Sequence, residues 1–161
     1  MHKVYRSSGP MALHGFLQKL SVATVGIFQG FVLIDLAFDV ESLRGKFSSS
    51  KPFYQGREEH PALDRLALLQ APLLLALLST VYVAIRDRSW QNWSALVLLL
   101  AAMFGGSNVV KLRDYMKEHR EEEVVHPSLV NIAWIHVLMS VALGLCLFLL
   151  CLEGSAKDKS A

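Results

Sequence analysis

The chain has 161 residues, is 53% hydrophobic and carries a formal net charge of +2. That length has room for one domain spanning residues 1–161 and leaves no space for a second within it, and a weak charge without a basic stripe excludes a nucleic-acid partner. A soluble all-helical domain is disfavoured, because so small a chain lacks the polar material to wrap four segments that are apolar on every face.

Lys3, Arg6 and Lys19 precede the first apolar stretch with no acidic residue before Asp35, and Ser7, Ser8 and Ser21 are nearby. An organelle presequence and the basic flank of a membrane span share that composition. The stretch itself, residues 20–38, is too long for a removable signal peptide and lacks a small-residue cleavage site, so it reads as a retained helix. A helix of roughly 20 residues rises about 30 Å, the thickness of the hydrocarbon layer, so this segment fits one crossing. Asp35 and Asp39 close it, one turn apart on one face.

The connection that follows contains Ser48, Ser49 and Ser50, a short polar run that reads as loop. Pro61, ahead of Ala62, Leu63, Asp64 and Arg65, reads as a helix start outside the lipid. The second span covers residues 66–85, and Pro72 within it removes one backbone bond and predicts a kink unless Gln70 or a neighbouring helix compensates. Trp90 and Trp93 suit the membrane interface, where their amphipathic rings anchor helix ends. Asn92, Trp93 and Ser94 match a glycosylation sequon, but an acceptor pressed against the lipid surface makes the match accidental.

The third span covers residues 93–110, and the charges of Lys111 to Glu123 at helical spacing extend that helix by two or three turns. His126 before Pro127 is expected to break it. Glu123 and His126 have the three-residue spacing of carboxylate-bridged iron sites, but one copy in a charged loop is insufficient, and no metal or other cofactor is expected. The fourth span covers residues 129–152. Its Cys146 and Cys151, five apart, fall on different helix faces, cannot form a Cys-x-x-Cys redox pair, and read as small lipid-compatible side chains.

The four spans together predict an all-α fold, a four-helix transmembrane bundle. An even number of crossings puts both termini on one side and the 39–65 and 111–128 connections on the other. Nine of the lysines and arginines lie in those connections and seven elsewhere, a margin too thin to orient the protein, with a lean toward the cytoplasmic, matrix or stromal side. Small residues four apart mark faces where helices approach closely in lipid. Such faces are expected at Gly26 with Gly30, at Gly105 and Gly106 with the alanines preceding each by four, and at Ser140 with Gly144, serving contacts within the chain before contacts with another protein.

Carboxylates inside spans are rare and face the bundle interior, water or a partner, which singles out Asp35. The end of the first span and the start of the fourth share a side of the membrane, so Asp35 and His136 are expected at one depth. The hypothesis is a polar centre of Asp35, Asp39 and His136, with Arg65 as a counter-charge, that relays protons or holds a polar headgroup or quinone-like ligand. The bland alternatives are an interfacial carboxylate paired with a basic residue and a histidine hydrogen-bonded to the next helix. Asn108 and Asn131 either join this network or cap helix ends.

Asp35, Leu36, Ala37, Phe38 and Asp39, then Phe53 and Tyr54, then Pro61, Leu63, Asp64, Arg65 and Leu66, form a pattern that resembles a family of small, uncharacterised four-helix integral membrane proteins. The resemblance covers the first half of the chain; the second half agrees in span order and in one histidine of the last helix. It implies the architecture and no activity. A looser similarity in layout, four spans with a charged stretch after the third, extends to the anthrone-oxygenase-like and small transmembrane-protein families.

No phosphate loop, nucleophile elbow or paired hydrolytic carboxylates are visible. The leading functional expectation is a non-catalytic subunit, assembly factor or scaffold, partnered by the lipid bilayer and by another membrane protein or a second copy of itself. The alternative is a membrane-embedded enzyme or carrier for a lipid-soluble small molecule. An ion channel is disfavoured, since four helices in one protomer leave little lumen.

Overall fold

The computed structural model describes residues 9–48, 50–55 and 65–158. They form five helices and no strand: α1 Gly9–Asp39, α2 Ser50–Gln55, α3 Arg65–Asp87, α4 Trp90–Glu118 and α5 Glu122–Asp158, with a single 3-10 turn at Ser42–Arg44. The expected helix start at Pro61 and the Ser49 position lie outside the described residues. Ser50 opens α2 where a loop was expected.

Helix α1 lies against α3 and α5, and α4 against α3 and α5, each sequence neighbour running antiparallel to the last. The short two-residue connection Arg88–Ser89 enforces the α3–α4 reversal. Arg88 takes a left-handed backbone (φ 49°), as residues following a helix commonly do, and the Ser89 hydroxyl then caps α4 by accepting from the Asn92 amide at 3.3 Å. Gly45 (φ 73°) serves the 3-10 turn in the same way, donating its N–H to the Ser42 carbonyl.

The core is apolar along one seam. Val25, Phe28 and Val32 of α1 meet Ala76 of α3, Ala95, Leu99 and Ala102 of α4, and Met139, Leu143, Cys146 and Leu150 of α5. Polar side chains join helices within it: Ser21 Oγ donates to Ser79 Oγ at 2.8 Å, and the Cys146 thiol donates to the Ala95 carbonyl at 3.3 Å. A second cluster gathers Tyr54, Met116, Val125, Leu129 and Ile132, and ties the segment after α1 to the α4–α5 hairpin.

Three helices, α1, α4 and α5, contain windows long and apolar enough to cross a membrane. Less than a third of each window is buried inside the molecule (28%, 22% and 28%). Those faces expose Leu33, Leu100, Phe104, Leu138 and Phe148 at 47–68% of their surface, an apolar belt of the kind that marks contact with a membrane or another protein.

Two boundaries differ from expectation. The α4–α5 break falls at His119–Glu121, before His126 and Pro127, and Pro127 sits inside α5. Glu122 and Glu123 in the first turn of α5 suit the positive end of the helix dipole, so the helix starts there. Pro127 deprives only the Glu123 carbonyl of a donor, and both residues are exposed. Helix α3 is likewise continuous through Pro72.

Of the glycines on these faces, only Gly105 marks a close approach. A Cβ there would lie 2.7 Å from Met139 Cγ, whereas one at Gly106 would rest in ordinary contact at 3.6 Å. Nothing stands within 4 Å of a Cβ at Gly26, Gly30 or Gly144, because α1 packs through the Ser21, Val25, Phe28 and Val32 face, and Gly26 and Gly30 are rotated off it. Ser140 turns inward, with its hydroxyl buried.

Candidate functional site

Asp39, the last residue of α1, is wholly buried. Its Oδ2 lies 2.5 Å from His136 Nδ1 of α5 and accepts from the Tyr54 hydroxyl of α2 at 2.9 Å. Tyr54 Oη is in turn 3.5 Å from the same ring nitrogen. Side chains from two helices, α2 and α5, therefore converge on one carboxylate oxygen of a third, α1. A carboxylate at a helix C-terminus opposes the helix dipole, so its burial here depends on these donors. Asp39 Oδ1 has no hydrogen-bond partner among the described residues.

The carboxylate on His136 Nδ1 is thus that of Asp39, where Asp35 was expected. One turn earlier, Asp35 is half-buried. Arg65 is the first residue of α3, and its side chain lies outside the described ones. Asn108 donates to the Phe104 carbonyl of its own helix at 3.1 Å, and Asn131 is exposed on α5.

The segment between α1 and α2 folds back to build the site. Ser50 Oγ donates to the Phe38 carbonyl at 3.0 Å and also meets Ser42 Oγ. Phe47 stacks on His126 with ring centroids 4.1 Å apart, and Lys51 pairs with Glu122 at 3.3 Å. Tyr54 is the residue that sequence reading left out of the site. Its signal was an aromatic pair, Phe53 and Tyr54, in an otherwise polar connection 15 residues beyond Asp39.

A second polar cluster at the opposite end of the helices also escaped sequence reading. His14 Nε2 of α1 lies 3.3 Å from Asp87 Oδ2 at the end of α3, and the same oxygen accepts from Asn92 Nδ2 of α4 at 3.2 Å. The buried Asn92 is the sequon residue, so its amide serves helix packing. The signal was the placement of His14, Gln18 and Ser21 along one helical face.

Chemically, the Asp39 cluster has the components of a proton-sharing pair, an imidazole and a carboxylate, together with a phenol. Its three side chains are buried, Asp39 wholly and Tyr54 and His136 to within a few per cent. Two adjoining cavities on the outer α4–α5 face are lined by none of Asp39, Tyr54 or His136.

Compared with family models, with curated proteins and with solved structures, the chain matches none.

Proposed function

We propose that this chain is an integral membrane protein with four crossings that serves as a non-catalytic subunit, assembly factor or scaffold of a larger membrane complex. Spacing supports the membrane placement. Roughly 20 residues, or about 30 Å, separate Lys19 from Asp39 on α1, Trp93 from Leu112 on α4, and Ile132 from Leu152 on α5. Helix α3 is the fourth crossing. It is antiparallel to α1 between them, and Leu74, Leu75, Leu78 and Ile85 continue the exposed apolar belt. This is also the architecture implied by the resemblance in the first half of the chain.

The observation that carries the role is the burial of Asp39, Tyr54 and His136 against one another. A catalytic or carrier centre must present its ionisable groups to a substrate. Here the carboxylate and imidazole face each other and fasten residues 40–55 onto the hairpin formed by the end of α4 and the start of α5. The product of that clasp is a rigid platform at one end of the bundle, bearing both charge signs through Lys51, Lys117, Asp114 and Glu122. Such a surface suits a protein partner, where charge patterns set register and selectivity.

Purification from native membranes in mild detergent tests this role. The chain is expected to migrate with a stoichiometric protein partner, and a lone monomer would refute the role. Extraction with alkaline carbonate tests the membrane placement separately, since a four-crossing protein stays in the pellet.

A further inference from the structure

We infer that the outer groove between α4 and α5 is a binding site for an anionic phospholipid, with one acyl chain lying along the groove and the phosphate at its Lys111 end. Two adjoining cavities of about 640 and 300 Å³ form this groove and share Asn108, Ile135 and Leu138. Their volumes are those of small-molecule sites.

The groove exists because of a sequence feature. Gly105 brings α4 against Met139, and Ala101 on the same stripe adds no bulk, so a trough runs along the helix pair. Phe104 and Leu138, 68% and 66% exposed, rise at its sides. An acyl chain matches such a trough in both polarity and shape.

Polarity then changes along its length. Toward the His136 end of the bundle the lining becomes Asn108, Asn131 and Lys111, flanked by Trp134 and Tyr115. Lys111 directly follows the apolar stretch 93–110, and Trp134 lies about a turn and a half into the stretch 129–152, so the Lys111 end of the groove is at headgroup depth. Lys111 is exposed and enters no ion pair among the described residues, whereas nearby Arg113 and Lys117 both pair with Asp114. A cation without a counter-charge, beside two side-chain amides, complements a phosphate diester bearing a net negative charge. A zwitterionic lipid carries its own cation and gains less there.

This inference rests on α4 and α5 lying in lipid and is independent of the scaffold role. Trp134 reports on the site directly. With Trp90→Phe and Trp93→Phe, it is the sole tryptophan. The full-length protein is reconstituted into bilayers containing either brominated phosphatidylcholine or brominated phosphatidylglycerol, and quenching of Trp134 is compared. Quenching by the zwitterionic lipid reports that this face is in the bilayer, and its absence would overturn both the membrane placement and the site. Phosphatidylglycerol is expected to associate about five-fold more strongly than phosphatidylcholine. Lys111→Gln should abolish that preference, and Lys117→Gln should leave it. Equal quenching by the two lipids, or a preference that survives Lys111→Gln, would overturn the proposal. Ala101→Phe fills the trough and should also remove the preference; if the preference persists, the chain does not occupy the groove and the proposal fails.

Discussion

Replacing His136 by Leu removes the imidazole while retaining an apolar side chain in the space between α1 and α5. The Asp39 carboxylate, fully buried, is then left with the Tyr54 hydroxyl as its one donor to Oδ2 among the described residues. Leaving a buried carboxylate oxygen without one of its two neighbours costs about 1–3 kcal/mol or more, chiefly as the penalty for the group left behind. The diagnostic step is the second substitution. Asp39→Asn keeps the shape and an acceptor for Tyr54 but removes the charge, so in the His136→Leu background it should restore much of that cost. The single Asp39→Asn variant, which leaves two neutral groups able to hydrogen-bond, should cost about 1–2 kcal/mol. Reversible unfolding in mixed dodecylmaltoside and dodecyl sulfate micelles, followed by far-ultraviolet circular dichroism, reads all four corners of this cycle. The reasoning predicts rescue, a departure from additivity whose sign is fixed. If Asp39→Asn lowers the stability of His136→Leu further, by about its own single-variant cost, the two groups act independently and the clasp is refuted.

Tyr54→Phe deletes one hydrogen bond to a buried carboxylate and should cost about 1.5–3 kcal/mol, with faster protease cleavage within residues 40–55. An unchanged cleavage rate would separate Tyr54 from the anchoring of that segment. Gly105→Ala drives a Cβ to 2.7 Å from Met139 Cγ and should lower stability by about 1–3 kcal/mol, while Gly26→Ala, with nothing within 4 Å, should leave it at or slightly above the parent. Similar losses for both in the same unfolding assay would contradict the α4–α5 approach at Gly105. Pro127→Ala supplies the amide that the Glu123 carbonyl lacks and should raise stability by about 1–3 kcal/mol; a loss would show that the ring holds the start of α5 in place.

The long helices were legible because an uninterrupted apolar run of about 20 residues is too long for a strand and has few alternatives to a helix. Helices α4 and α5 contain the stretches at 93–110 and 129–152 and extend beyond both ends of each, and the charged continuation of α4 ends at Glu118, two turns past Val110. The α4–α5 boundary was misread for a local reason. Proline at residue 127 suggested a stop, but near a helix start its missing amide leaves one exposed carbonyl without a donor, and the acidic pair before it favours helix initiation. The glycine pairs misled because spacing reports a stripe and not its direction. Gly105 and Gly26 look alike in sequence, and only the rotation of each helix about its axis distinguishes them.

The helical class of the chain and the positions of its apolar segments follow from composition and order alone, because burying or dissolving a backbone in an apolar medium requires that its hydrogen bonds be satisfied within each segment. Which carboxylate meets His136 was not accessible in that way. Asp35 and Asp39 share a face and differ by a single turn, and the choice between them depends on a connection folding back so that Tyr54, 15 residues away along the chain, donates to Asp39. The same holds for His14 and Asp87, which are far apart in sequence and adjacent across two packed helices. Periodicity records what each helix prefers, whereas the pairing of polar groups depends on the depth and rotation at which separate helices settle against one another.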